Sequence, residues 1–162
     1  MASTRSDVEA YVKLVRTADA LHAQVSRGLT AEKLTASQFS ALKALRYHGP
    51  MPQKDIATFL IKTAGNVTLV LDNLEKQGLV TRLRQTDDRR LVRVSLTDLG
   101  RDTFDRIYPA HIERIVKAMS PLDLKQVKDL ARLLSELHTT VNDPKCAPEA
   151  SEAGVAAAKS AV

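Results

Sequence analysis

Residues 49–100 read GPMPQKDIATFLIKTAGNVTLVLDNLEKQGLVTRLRQTDDRRLVRVSLTDLG, and the changes of texture within this stretch decide the fold. Pro52 fits the first turn of a short helix, QKDIATFL, in which Ile56, Ala57 and Leu60 face inward. A break at Lys62-Thr63-Ala64-Gly65 leads into NVTLVLDNLEKQ, a second helix whose Val67, Val70, Leu71 and Leu74 make one apolar face. Gly78 stops it. LVTRLRQ then alternates Leu79 or Val80 and Leu83 with Arg82 and Arg84, and LVRVSL alternates Val92 and Val94 with Arg93 and Ser95. Two alternating segments around the charged connector TDDRR predict a β-hairpin with a loop longer than two residues.

Helical patterns flank this stretch on both sides. From Asp7 to Leu29, apolar residues recur at Val8, Tyr11, Val12, Val15, Ala18, His22, Val25 and Leu29, the spacing of an amphipathic helix that ends near Gly28. Thr35, with Gln38 three residues later, reads as a capping box for a helix carrying Phe39, Leu42 and Leu45, which stops at His48-Gly49-Pro50. Downstream, Thr97 can cap a helix bearing Leu99, Phe104, Ile107, Tyr108, Ile112, Ile115 and Met119, with a kink expected at Pro109. Ser120-Pro121-Leu122-Asp123 then reads as the start of a last helix, with Ser120 as its cap. Its Val127, Leu130, Leu134, Leu137 and Val141 form a seam suited to another helix. A leucine-rich helix at the end of so small a domain has few internal partners, so contact with a second copy is the better explanation. Periodicity ends at Asn142, and the Ala-rich remainder with Pro, Ser and Glu is expected to be disordered.

The bulk numbers agree with one helical domain plus a tail. The chain has 162 residues, 44% hydrophobic and 27% charged, and only 4% aromatic with no Trp, so its core rests on aliphatic side chains that favour helices. Its net charge is +5, and Arg82, Arg84, Arg89, Arg90 and Arg93 crowd into the hairpin, which suits a polyanionic partner. A single cysteine, Cys146, rules out an internal disulfide and reads as inert in the tail. No leader pattern or membrane-length apolar run is visible, so a cytoplasmic location without membrane contact is expected. His22, His48, His111 and His138 lack metal-ligand spacing, and no nucleophile–base pair, acid pair or phosphate-cradling loop occurs. No metal, no cofactor and no enzymatic activity are therefore expected.

A short helix, a tight break, a second helix and a basic hairpin form the layout of a winged helix-turn-helix. The second helix enters the major groove, where Asn and Thr can read base edges, while hairpin arginines reach phosphates or a narrow minor groove. This stretch, above all LDNLEKQGLV and the later DRR, VSLT and G, closely resembles the core of the MarR family of bacterial transcriptional regulators, and the resemblance extends over residues 7–141. It implies a mainly α fold (α+β) with a two-stranded wing and a helical dimerisation region from both chain ends. The expected segments are a dimerisation helix over 1–34, a DNA-binding region over 35–98, dimerisation helices over 99–142 and a tail over 143–162.

The resemblance further implies a homodimer, built by the first, fifth and sixth helices, that binds double-stranded DNA at a palindromic operator. In many relatives a small phenolic or other aromatic ligand binds between the dimerisation and DNA-binding parts and lowers DNA affinity. Asn66, Thr68, Leu69 and Asn73 fall where relatives present base-reading side chains, and Thr63 falls at the start of the recognition helix. Arg90 matches the wing-tip arginine, with Arg84 and Arg89 beside it on the wing, and Asp88 is expected to orient that arginine or its loop rather than touch DNA. Some relatives carry Arg where this chain has Leu69, and leucine cannot make the bidentate guanine contact, so its base preference is expected to differ, toward a thymine methyl. Tyr11, His22, Phe39, Tyr47 and His111 are candidates for a cavity that holds the aromatic ligand. The functional expectation is a repressor relieved by that ligand; the alternative is a winged-helix protein-interaction module without specific DNA binding.

Overall fold

In the computed structural model, which describes residues 2–60, 67–84 and 92–141, the first helix, α1, runs Ala2–Thr30. It starts ahead of the expected Asp7, and its buried Leu29 anchors the turn into the next helix. That helix, α2 (Ala36–His48), opens on the capping box read from the sequence. The Gln38 N–H donates to Thr35 Oγ1 at 3.2 Å, and the Thr35 N–H donates to Gln38 Oε1 at 2.7 Å. Gly49 ends it with φ 76°, a left-handed conformation that costs any other residue a steric clash.

Met51–Pro52 then form a two-residue strand, β1, which no sequence periodicity could reveal at that length. Pro52 therefore precedes the short α3 (Gln53–Ile56) rather than lying in its first turn, and Ala57–Phe59 continue as a 3-10 turn instead of a full helix. The recognition-type helix α4 spans Val67–Lys76 and ends at Gly78, φ 71°, where the Leu79 N–H donates back to the Leu74 carbonyl at 2.9 Å. The hairpin follows as β2 (Val80–Arg84) and β3 (Val92–Leu96), and the three antiparallel strands stand in the order β1-β3-β2. The last helix of this part, α5 (Asp98–Met119), runs continuously through Pro109. Thr97 caps it, accepting from the Gly100 N–H at 2.9 Å while donating to the Gly78 carbonyl at 2.6 Å.

The chain divides into two units, residues 1–118 and 119–162. In the first, Leu42, Leu45, Ile56, Leu71, Leu74, Val80 and Val94 are buried in one core, extended by Leu29, Phe39, Phe104 and Ile107. The face assignment of β2 differs from the alternation expected above. Arg82 pairs in register with the fully buried Val94 and shares its face with Val80, whereas Leu83 is 65% exposed. Strand partners fix which face is inward, and that information is absent from β2 alone.

The second unit contains α6 (Leu124–Val141). Its cap is Asp123 rather than Ser120: the Gln126 N–H donates to Asp123 Oδ1 at 2.8 Å, and the Asp123 N–H donates to Gln126 Oε1 at 2.9 Å. Residues 120–122 are spent on a turn, in which the Leu122 N–H donates to the Met119 carbonyl, so Pro121 belongs to the turn and not to the helix. Leu133, Leu134 and Leu137 are exposed along α6 in the single chain. The tail and Cys146 lie outside the described residues. No helix among the described residues is long and apolar enough to cross a membrane.

Gly100 joins the recognition helix, wing and α5 at one point, because a Cβ there would stand 1.9 Å from the Leu79 carbonyl oxygen. Alanine ordinarily stabilises a helix relative to glycine. Gly100→Ala is expected instead to destabilise the protein by about 1–3 kcal/mol through this backbone collision, as read by urea unfolding.

Candidate nucleic-acid interface

The core side of α4 is occupied by Leu71 and Leu74, with Val67 and Val70 packed against it, so helical spacing places Thr68, Leu69, Asp72, Asn73 and Lys76 together on the other face. Leu69 is 52% exposed and Thr68 is exposed, while Asn73 is half-buried. Thr68 is steadied from α3, since Gln53 Nε2 donates to its Oγ1 at 3.1 Å. Of the other candidates, Thr63, Asn66, Arg89 and Arg90, together with Asp88, lie outside the described residues. Arg84 ends β2, and its side chain also lies outside the described part.

The five hairpin arginines do not share one role. Arg93 donates from Nη2 to the Pro50 carbonyl at 2.9 Å, tying β3 to the segment before β1. Arg82 turns back onto α4. Its Nε and Nη2 donate to Glu75 Oε2 at 3.0 and 2.6 Å, and Nη2 also donates to Asp72 Oδ1. The Glu75 hydrogen bond foremost, with Asp72 adding to it, holds the guanidinium above even its ordinary high pKa against the opposing effect of burial. This fork joins wing to recognition helix and covers two carboxylates, one of them, Asp72, on the same face as Thr68 and Leu69. Sequence reading grouped Arg82 with the phosphate-seeking arginines; the acids one turn apart at 72 and 75 were the available sign of a different partner.

The family model described as MarR family matches residues 34–92 of this chain. The organic hydroperoxide resistance transcriptional regulator of Bacillus subtilis is 36% identical over 108 residues, which cover 65% of this chain and 73% of that protein. The chain belongs to the MarR family. A second relative, the HTH-type transcriptional regulator YkoM of Bacillus subtilis, is 37% identical over 100 residues, covering 62% of this chain and 65% of YkoM's length. The fold is likewise that of a mutant MarR from Escherichia coli crystallised with operator DNA, with a TM-score of 0.72 at 22% identity over 81% of this chain and 95% of that one.

In this MarR-family chain Phe39 and His111, two of the five candidate ligand residues, are in contact, while Tyr47 and His22 line different cavities. Tyr47 lines a cavity of about 510 Å³ together with Ser40, Lys43, His48, Phe59 and Tyr108. Tyr47 meets Tyr108 edge-on at 6.0 Å, and a hydrogen bond with Tyr108, followed by burial, raises the Tyr47 pKa. Phe39 is buried, with its ring 5.2 Å from Phe104 and 4.5 Å from His111. His22 lines a separate recess of about 380 Å³ beside Ser26 and Thr30, and Tyr11 is 67% exposed on α1. Tyr108 and Phe59 were missed as cavity residues. Tyr108 lies one turn beyond Phe104 on the same face, which is the pattern that could have found it.

Arg82→Lys keeps the charge of this MarR-family wing but loses the planar fork. It is expected to weaken binding to a specific duplex about tenfold, with the slope of log affinity on log salt unchanged. Affinity close to that of the unmodified protein would instead mark Arg82 as a simple phosphate contact. Fluorescence anisotropy at several salt concentrations distinguishes the two.

Proposed function

We propose that this MarR-family protein is a homodimeric transcriptional repressor that binds an inverted-repeat operator in double-stranded DNA and is relieved by a small phenolic or other aromatic ligand. The observation that carries the reading is the outward edge of α4, where Thr68 and Leu69 are exposed on a helix braced by Gln53 and held to the wing by Arg82. Thr68, Leu69 and Asn73, with Thr63 and Asn66 ahead of them, are assigned to the major groove. Arg84, Arg89 and Arg90 are assigned to phosphates or the minor groove beside it. The likeness to a MarR protein crystallised with operator DNA supports the same use of the fold here.

Dimerisation is assigned to segments 1–34 and 99–142. Val8, Tyr11, Val12 and Val15 on α1, and Leu133, Leu134 and Leu137 on α6, are exposed in the single chain, more apolar surface than a solvated helix carries without a partner. The aromatic recess around Tyr47, Phe59 and Tyr108 supports the ligand reading, because its walls come from α2, α5 and the 3-10 turn ahead of α4. The role is one of binding and not of catalysis, in keeping with the regulators to which the chain is related.

Selection of bound duplexes from a random pool is expected to enrich an inverted repeat with half-sites about 10 bp apart, one helical turn. Enrichment of no palindrome, or a protein that stays monomeric under the same conditions, would contradict the reading. Leu69→Arg should move the preferred base at one position of each half-site toward guanine. Arg90→Ala should weaken binding to all duplexes and lower the salt slope by about one unit; an unaltered slope would remove Arg90 from the phosphate contacts.

A further inference from the structure

Thr68 is exposed on the outward edge of α4, yet its hydroxyl already has a partner. Gln53, the first residue of α3, donates to Thr68 Oγ1 from Nε2 at 3.1 Å. Among the described residues that hydroxyl makes no other hydrogen bond, so its own proton is given to none of them. The Gln53 amide stands at a fixed point. Met51, two residues before it, is buried and pairs with Val94 of β3, and Ile56, three residues after it, is fully buried. Val67, packed against the core, fixes the turn of α4 on which Thr68 sits.

A hydroxyl has one proton and two lone pairs. With one lone pair committed to the amide, the proton is what Thr68 offers a partner, and a hydroxyl that accepts one bond donates the next more strongly. In the major groove guanine, adenine and thymine each present an acceptor, whereas cytosine presents only its N4 donor. The second lone pair could take that donor only by leaving the hydroxyl proton without an acceptor. In a groove closed to water, an unpaired polar proton is costly.

We propose that Gln53 is a specificity-determining residue: by donating to Thr68 it sets that hydroxyl to donate in turn, so that the base facing it must offer an acceptor and cytosine is refused. Gln53 acts through Thr68, as a positioning residue and not as a reader of bases. The inference rests on the assignment of α4 to the major groove, and the experiment tells its failure from the failure of that assignment.

Relative affinities of the full chain are measured by competition anisotropy on duplexes carrying the selected palindrome and its single-base substitutions. At one position of each half-site, cytosine is expected to be disfavoured about fivefold against the selected base, the worth of one neutral hydrogen bond. Thr68→Val, nearly isosteric, should remove that penalty, and Thr68→Ser should keep it. Gln53→Glu puts an acceptor where the donor stood, which turns the Thr68 proton back to α3 and offers a lone pair outward. Its charge should lower the affinity for every duplex, yet the ratio at that one position should reverse in favour of cytosine. If a palindrome is still selected but Gln53→Glu leaves the ratio unchanged, the role of Gln53 is overturned, whatever the loss of overall affinity. A ratio that Thr68→Val does not move at any position overturns it too. A chain that selects no palindrome overturns the major-groove assignment, and this inference with it.

Discussion

The burial of Leu71 and Leu74 is the constraint on which the rest of the structure depends. Both side chains are fully enclosed with Leu42, Leu45, Ile56 and Val94, and each such burial contributes about 1.5–3 kcal/mol. Once that face of α4 is fixed inward, the helical period leaves Thr68, Leu69, Asp72, Asn73 and Lys76 no choice but the other side. The edge offered to a partner is therefore set by the core and not by the exposed residues themselves. The left-handed Gly78 then turns the chain straight into β2, and Thr97 ties α5 to that same turn, so helix, wing and the start of α5 meet at one point.

Electrostatics refines what packing sets. A carboxylate at Asp72, in the midst of the outward edge of α4, would repel a phosphate backbone, and Glu75 lies one turn on. Arg82 answers both with one guanidinium, and in doing so removes itself from the pool of cations free to meet DNA. Among the hairpin arginines Arg82 and Arg93 hold the structure together, and Arg84, Arg89 and Arg90 are those proposed for the phosphate contacts.

Much of this is legible in the amino-acid order itself. The Thr35–Gln38 capping box, the Gly49 and Gly78 stops, the apolar face of α4, the Thr97 cap and the hairpin all follow from local chemistry that a short window of sequence contains. Features decided by distant partners were not legible. Strand β1 is two residues long and exists only because β3 pairs with it. Arg82 points inward because its strand neighbour is Val94, a relation that alternation counted along β2 alone cannot supply. Ser120 and Asp123 are both good caps by type, and the turn at 120–122 decided for Asp123. The grouping of Tyr47 with Tyr108 and Phe59 was not legible for the same reason: it arises only where α2, α5 and the 3-10 turn pack.

The central claim is that the outward edge of α4 meets a DNA duplex while its inward edge stays in the core. Methyl NMR during titration with a duplex carrying the selected palindrome examines both edges at once. The account predicts large shifts or broadening for the Thr68 and Leu69 methyls, with those of Leu71 and Leu74 nearly unmoved. Unmoved Thr68 and Leu69 methyls in a complex that demonstrably forms would contradict it.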